Sequence, residues 1–215
     1  MDFSDFLRLI PKIEHAFLPG EQSHAKMSPP ERCEIMKTLD LKAKNPKQAA
    51  VMMLFYPRNE KTNLILIIRN AYPGVHSSQI AFPGGKIEKS DASFMETALR
   101  ETEEEIGISP SQITVVRQFS QVYIPPSNFL VHPFLGYSCE ELIFKPDPNE
   151  VAGLIEMPLD HFLDDVNMHS QTMATSYSLA IDVPVFTINE HRVWGATAMM
   201  MGELKDVLKS VMDVN

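Results

Sequence analysis

The sequence predicts an α+β fold in which a mixed β-sheet lies between helices. Two apolar runs, Gln48 to Tyr56 and Asn63 to Arg69, have the length and composition of buried strands, and a short polar turn joins them into a central pair. A glycine pair at 84–85 leads into an acidic segment with helical spacing. The 215 residues, 44% of them hydrophobic, are sufficient for one domain with a packed core.

Residues 1–45 are predicted to form a helical arm, and residues 46–215 the main domain. An apolar stripe near helical spacing is interrupted by Pro11, so we expect a kinked helix or two short pieces; the stripe consists of Phe3, Phe6, Leu7, Ile10, Ile13 and Phe17. Gly20 to Lys26 has the composition of a loop. Ser28 is expected to cap a helix from Pro29 to Thr38. Because the arm carries no chemical motif, we expect it to pack on the domain or to contribute to a homodimer.

The remaining elements follow from apolar runs and from helical spacing. A short helix is expected from Leu159 to Asp164 and a final one from Ala196 to Val214, with an apolar stripe facing the core. Further strands are expected at Ile113 to Val122, Leu130 to Ser138, Leu154 to Met157, Thr172 to Leu179 and Val185 to Ile188. These elements complete the mixed sheet and the helices that pack on it.

The acidic helix is predicted to run from Ala92 to Ile106, with Ser90 or Asp91 as its N-cap and Gly107 at its C-terminal end. Its apolar positions are Met95, Ala98, Leu99, Thr102 and Ile106. Negative charge near the C-terminus opposes the helix dipole by about 0.3–1 kcal/mol for each group. A cation should therefore lie beside the last turns, which carry Glu101, Glu103, Glu104 and Glu105.

The spacing of these carboxylates indicates where a cation would bind. Glu101, Glu104 and Glu105 stand at i, i+3 and i+4 and share one helix face, whereas Glu103 points elsewhere. Several carboxylate oxygens suit a hard divalent cation, Mg²⁺ or Mn²⁺, and the adjacent Arg100 can hold a carboxylate in place. The alternative is a solvated acidic face, which is the usual role of a charge run.

These residues resemble a known motif. Gly84-Gly85, Asp91 and the segment Arg100-Glu101-x-x-Glu104-Glu105-x-Gly107-Ile108 are similar to the Nudix box, the signature of hydrolases that cut diphosphate bonds in nucleoside diphosphate derivatives. The interval from Gly85 to Arg100 is one residue longer than in the standard box, as in the coenzyme A diphosphatase branch, and Thr102 replaces the usual aliphatic residue. The resemblance implies a Nudix fold and a metal bound by the three glutamates and the Gly85 carbonyl.

Flanking segments also resemble the coenzyme A diphosphatase branch, so that the resemblance covers about residues 49–208. Gly74 stands where that branch often has arginine, and Ser78 where it has glycine, so the phosphate contacts are expected to differ. The matching segments are Ile68-Arg69, His76-x-x-Gln79-Ile80-Ala81-Phe82-Pro83-Gly84-Gly85, Glu150-Val151, Met157-Pro158-Leu159 and Val193-Trp194-Gly195-Ala196-Thr197-Ala198.

Diphosphate hydrolysis requires neutralised phosphates, a positioned water and a base. We expect Glu104 to be the base, with Glu150, in a loop that can fold over the site, as the second choice. Lys86, Arg69 and His76 are candidate phosphate contacts. For Arg69 a structural ion pair is an equal alternative, and His76 is more often a polar side chain without a ligand.

Three functions remain open. The first is hydrolysis of coenzyme A or an acyl derivative, the second is hydrolysis of ADP-ribose or a nucleotide sugar, and the third is non-catalytic nucleotide sensing. A net charge of −9 and the lack of a basic run argue against a nucleic-acid partner. The two distant cysteines, Cys33 and Cys139, and the lack of a signal peptide or membrane span favour a cytoplasmic protein with reduced thiols.

Overall fold

The computed structural model describes residues 1–70, 79–173 and 180–212. Its helices are α1 (Phe3–His15), α2 (Glu21–Lys26), α3 (Pro30–Lys37), α4 (Leu41–Lys44), α5 (Phe94–Ile106), α6 (Leu159–Leu163) and α7 (Gly195–Met212). Its strands are β1 (Lys47–Arg58), β2 (Lys61–Arg69), β3 (Ile80–Ala81), β4 (Gly84–Lys86), β5 (Thr114–Gln118), β6 (Val122–Ile124), β7 (Phe129–Tyr137), β8 (Val151–Pro158), β9 (Met168–Met173), β10 (Ile181–Ile188) and β11 (His191–Val193).

Within the described ranges, the main sheet has eight strands and is mixed, as predicted. β1 and β7 run parallel at its centre, and β2 pairs antiparallel with both β1 and β8. β4 adds to β1, while β5 and β6 add to β7. The last three strands form a separate antiparallel sheet in the order β11-β10-β9, which the sequence did not predict because an apolar run does not identify its pairing partner.

Alternate side chains of β1 build a core on each face of the sheet, because successive strand residues point in opposite directions. The odd-numbered positions 51–55 pack with residues of α1 and α7. The even-numbered positions 50–54 pack with Ala98 and Ile106 of α5. The predicted arrangement of a sheet between helices is therefore confirmed.

The first 45 residues pack against the main body. Phe6, Ile13 and Met27 are almost fully buried, at 0–1% exposure, within the core that also contains α7. Burial of each such side chain contributes about 1.5–3 kcal/mol relative to leaving it exposed. α1 is one helix that includes Pro11, so the expectation of two pieces was wrong, and Phe17 is 82% exposed and lies outside the stripe.

The segment expected to be a loop, Gly20 to Lys26, instead contains α2. Two acidic residues of α7 accept hydrogen bonds from this segment. Ser23 donates its hydroxyl hydrogen to Asp206, and the Gly20 N–H donates to Glu203 at 3.0 Å. Since these partners lie about 180 residues away, local composition could not indicate this helix.

The helix α3 is confirmed, but its predicted cap is not. Pro29 occupies the N-cap position without a side-chain cap bond, and the Ser28 hydroxyl donates to the His24 carbonyl at 2.8 Å. The predicted strand at 113–122 is divided into β5 and β6, and the one expected at 172–179 begins earlier, at Met168, with residues 174–179 outside the described ranges. None of the helices in the described part of the chain combines the length and apolar character needed to cross a membrane.

Candidate active site

The acidic helix α5 begins and ends at residues with clear caps. Ser93 is its N-cap and accepts a hydrogen bond from the Glu96 N–H at 3.2 Å, so the predicted caps, Ser90 and Asp91, were wrong. Gly107 ends the helix in a left-handed conformation, as predicted, with φ of 73°. The buried face carries Thr97, Ala98, Thr102, Glu105 and Ile106, whereas Met95 is 40% exposed.

Arg100 joins the loop before the helix to two of the glutamates. Its Nε and Nη2 atoms donate to the two carboxylate oxygens of Asp91, both at 2.9 Å, and this pairing holds the pKa of Asp91 well below its usual range. Its Nη1 atom donates to Glu101 at 3.0 Å and to Glu104 at 2.8 Å. Arg100 therefore supplies part of the positive charge that the helix end requires, shared between Asp91, Glu101 and Glu104.

Glu105 connects the helix to the glycine strand β4. Its side chain is 1% exposed, accepts a hydrogen bond from the Gly84 N–H at 2.7 Å and lies 3.3 Å from Nη1 of Arg69. Burial raises the pKa of Glu105 to about 7; the Gly84 hydrogen bond and Arg69 oppose the increase, and the charges of Glu101 and Glu150 contribute to it. The buried carboxylate is thus held between one partner from β4 and one from β2.

The second glycine of the strand is packed against Glu101. A Cβ atom at position 85 would lie 2.3–2.5 Å from the carboxylate atoms of that side chain, so the position accepts no larger residue without moving it. Burial raises the pKa of Glu101, Arg100 opposes the increase, and the charges of Glu104 and Glu150 add to it. Glu101 and Glu105 are therefore positioned against consecutive residues of β4.

The donor set fits a hard divalent cation in type and charge. The carboxylates of Glu101, Glu104 and Glu105 and the peptide carbonyl of Gly85 are all oxygen ligands. Burial is the main cause of the raised pKa values of Glu101 and Glu105, and repulsion from neighbouring carboxylates adds to it, so a bound cation would stabilise the ionised form of both groups. In residues 1–70, 79–173 and 180–212, no three Asp, Glu, His or Cys side chains are already gathered into a metal-binding group.

A pocket of about 700 Å³ begins at the glycine strand and extends over the sheet face opposite α5. Arg69 and Lys86 line it beside the two glycines. Most of the remaining lining is apolar and includes Tyr123, Pro125, Phe129, Trp194, Met199 and Met200. The loop that contains Pro125 and Pro126 and two methionines of the last helix thus contribute to this pocket.

The structure brings most of the expected site residues together. Arg69 makes an ion pair with Glu105, one of its two expected roles, and it also lines the pocket, where the other role, a phosphate contact, stays a prediction. Glu150 is exposed, immediately precedes β8 and lies close enough to influence the pKa values of Glu101 and Glu105. Glu103 is exposed, and helical spacing places it off the face shared by Glu101, Glu104 and Glu105. His76 lies outside the described residues.

Comparison with known proteins identifies the family. A model of the NUDIX domain matches residues 46–177. The chain belongs to the Nudix family. A Nudix protein from Pectobacterium atrosepticum, named uncharacterized Nudix hydrolase NudL, is 34% identical over 169 residues, which cover 74% of this chain and 81% of that protein. A protein of the same name from Yersinia enterocolitica is 41% identical over 115 residues, covering 54% of this chain and 58% of that protein.

Solved structures support the same fold. The Nudix hydrolase RenU from M. smegmatis superimposes with a TM-score of 0.53 at 17% identity, covering 77% of this chain and 87% of that one. Nudix hydrolases act on diphosphate bonds and generally use divalent metal ions. The resemblance based on the Nudix box is therefore confirmed, and the chain is a hydrolase of this class.

Proposed function

We propose that this Nudix hydrolase cleaves the diphosphate of coenzyme A or an acyl derivative, releasing 4′-phosphopantetheine or its acyl form and adenosine 3′,5′-bisphosphate. The observation that carries the proposal is the size and lining of the pocket. The pocket, of about 700 Å³, includes the glycine strand and Arg69, where a diphosphate would lie, and most of its remaining lining is apolar. Flexible methionines such as Met199 and Met200 suit an extended, conformationally variable tail. The segments flanking the Nudix box support the same substrate.

The acidic residues of the site would hold the metal ion that the reaction needs. A Mg²⁺ or Mn²⁺ ion held by Glu101, Glu104, Glu105 and the Gly85 carbonyl would neutralise phosphate charge and lower the pKa of a bound water. Arg100 positions Glu101 and Glu104, and Asp91 fixes Arg100 in turn.

On the pocket side, Arg69 and Lys86 contact the phosphates. Glu104 accepts the proton, because its side chain is 57% exposed while those of Glu101 and Glu105 are 14% and 1% exposed. Glu150 is the second choice of base.

A second candidate is hydrolysis of ADP-ribose or a nucleotide sugar. Four aromatic side chains line the pocket, Phe82, Tyr123, Phe129 and Trp194, and a base can stack on such rings. Gly74 and Ser78 also differ from the coenzyme A signature and favour this alternative. The two candidates place the same diphosphate at the same glycine strand and differ in what fills the apolar cavity.

The deciding experiment is a substrate panel. The protein is incubated with Mg²⁺ or Mn²⁺ and coenzyme A, acyl-coenzyme A, ADP-ribose, nucleotide sugars or nucleoside triphosphates, and the products are identified by mass spectrometry. Coenzyme A cleaved with the highest kcat/KM supports the proposal, and a preference for ADP-ribose overturns it. Tight binding without turnover of any compound would instead indicate the non-catalytic sensor.

Matched variants test the site assignment. Glu104→Gln and Glu105→Gln should each lower kcat by orders of magnitude while the protein stays folded. Glu103→Gln is the control, because Glu103 lies in the same run and is exposed, and helical spacing places it off the face shared by the other three glutamates. Wild-type rates for both test variants would refute the assignment.

A further inference from the structure

The pocket contains a third cationic side chain, contributed by the N-terminal arm. Arg32 of α3 lines it, is 9% exposed and donates to the Tyr123 carbonyl at 2.6 Å and to the Ser28 hydroxyl at 3.4 Å. Among the described lining residues, Arg32, Arg69 and Lys86 carry positive charge and no aspartate or glutamate occurs. Since the chain as a whole has a net charge of −9, the pocket concentrates the opposite charge.

The strand register places Arg32 far from the glycine strand. β4, β1, β7 and β6 are consecutive neighbours, and one row of directly opposed residues crosses them: Lys86, Ala49, Val131 and Val122. Three spacings of about 4.8 Å separate the ends of this row by roughly 14 Å. Arg32 binds the carbonyl of Tyr123, the residue after that row, and is therefore anchored across the sheet from Lys86.

The surface between these two cationic positions is apolar. Ala49, Val51, Phe129 and Val131 line the pocket between them. A ligand that matches this surface has a diphosphate at one end, a section without charge, and an anionic group at the other end. A guanidinium suits that second group because its planar N–H groups can bind a phosphate or carboxylate through two hydrogen bonds.

We propose that Arg32 binds a second anionic group of the substrate, a phosphate or a carboxylate, across the pocket from the scissile diphosphate. This assignment rests on the proposed function and makes the arm a part of the substrate site. Coenzyme A derivatives offer the anion from two sources. One is the 3′-phosphate, which reaches Arg32 only if the nucleotide half rather than the pantetheine tail lies in the apolar cavity, and the other is a carboxylate at the end of an acyl group, which keeps the tail in the cavity.

The test is Arg32→Met, which removes the charge and keeps an extended side chain. Steady-state kinetics use two matched pairs, coenzyme A with its 3′-dephospho form, and succinyl- with butyryl-coenzyme A, whose acyl groups have equal length. A hydrogen-bonded charged group contributes about 1.5–3 kcal/mol, so kcat/KM should fall about 10- to 150-fold, mainly through KM, for substrates carrying the recognised anion.

The two sources give different patterns. If the 3′-phosphate is bound, Arg32→Met lowers kcat/KM for coenzyme A and both acyl forms and spares the dephospho form. If the acyl carboxylate is bound, Arg32→Met lowers kcat/KM for succinyl-coenzyme A alone. Equal effects on all four substrates, or none, would overturn the proposal and leave Arg32 as a structural anchor of the arm.

A matched control separates recognition from anchoring. Arg117 donates to the carbonyls of Ile13 and Ala16, at 3.1 and 2.7 Å, and so also holds the arm, but it is not among the described residues that line the pocket. Arg117→Met should leave the ratios within both pairs unchanged. Arg32→Gln keeps an N–H donor for the Tyr123 carbonyl and provides a second uncharged variant if Arg32→Met does not fold.

Failure of the proposed function is distinguishable from failure of this inference. If the wild-type protein cleaves none of the four compounds, the proposed function is overturned. If the wild-type protein cleaves them and Arg32→Met leaves the ratios within both pairs unchanged, the role of Arg32 alone is overturned.

Discussion

Substitution of the second glycine of β4 should separate catalysis from folding. In Gly85→Ala the added Cβ would lie 2.3 Å from the nearest Glu101 oxygen, whereas ordinary contacts begin near 3.4 Å. The carboxylate must therefore move by about 1 Å. A misplacement of this size at a catalytic group can lower the rate by about 10²-fold. We expect kcat/KM of Gly85→Ala to fall by about that factor.

The stability of the same variant should change little. The clashing atoms are the end of a flexible side chain, and an off-rotamer side chain costs about 0.5–1.5 kcal/mol. Gly84→Ala is the matched comparison, because its Cβ would lie 2.3 Å from the Ala50 carbonyl oxygen and 2.6 Å from the Val51 Cα atom, at a φ of +153°. Overpacking against backbone and a strained φ together should destabilise this variant by roughly 2–6 kcal/mol.

The assay combines initial rates on the substrate found in the panel with urea unfolding of the wild type and both variants. The expected result is a folded, slow Gly85→Ala and a destabilised Gly84→Ala. A Gly85→Ala protein with wild-type kcat/KM would refute the reasoning, since the position of the Glu101 carboxylate would then not matter for the reaction. A Gly85→Ala protein as unstable as Gly84→Ala would refute the view that the Glu101 side chain can move aside.

Three further predictions concern stability. The folded-state pKa of Glu105, about 7, exceeds its ordinary value of 4.5, so metal-free protein should lose stability as pH rises from 4.5 to 7. In urea unfolding with a chelator present, Glu105→Gln should be more stable than the wild type at pH 8 by on the order of 3 kcal/mol and similar to it at pH 4. Glu203→Ala removes a buried carboxylate that accepts hydrogen bonds from the Gly20 and Ser120 N–H groups and the Ser120 hydroxyl, and it should cost roughly 3 kcal/mol in thermal unfolding. The exposed Glu103→Ala should change stability by less than about 0.5 kcal/mol, and equal losses in the two variants would contradict the role of Glu203 as an acceptor. Hydrogen bonds from two lysines of α7 lower the pKa of Asp165 to about 2, so their stabilisation, present above pH 4, is lost as pH falls through 2. Asp165→Asn should lower the free energy of unfolding by about 0.2–1 kcal/mol at pH 6 and by much less at pH 2, and an unchanged unfolding midpoint at pH 6 would contradict this prediction.

The sequence predicted those parts of the fold whose causes are local. The runs that became β1 and β2 are continuous and strongly apolar, and the helix end at Gly107 depends on a residue that readily adopts a positive φ. Glu101 and Glu105 reach the glycine strand because helical spacing alone places them on one face. These features required no knowledge of distant contacts.

The parts that were missed depend on contacts between distant residues. β4 has three residues, two of them glycines, and is a strand because it pairs with β1 rather than because of its composition. Asp91 resembles a helix cap in sequence, and only the geometry shows that it holds Arg100. Nothing local to Arg32 indicates that it reaches a pocket beneath the last helix. The arm boundary at residue 45, the homodimer, the lack of a nucleic-acid partner and the cytoplasmic location stay predictions.

The glycine strand β4 lies between a cluster of acidic side chains and a pocket lined by cationic ones. On one side, the Gly84 N–H faces the carboxylate of Glu105, in a cluster where acids outnumber arginines. On the other side, Gly84 and Gly85 line a pocket whose described charged residues are all cationic. In the proposed reaction the metal ion must contact the phosphates, so both are expected where the acidic cluster meets the pocket, beside Arg69, which pairs with Glu105 and also lines the pocket. Because glycines carry no side chain, the cluster and the pocket approach each other closely at this strand, and larger residues at these positions would hold them apart.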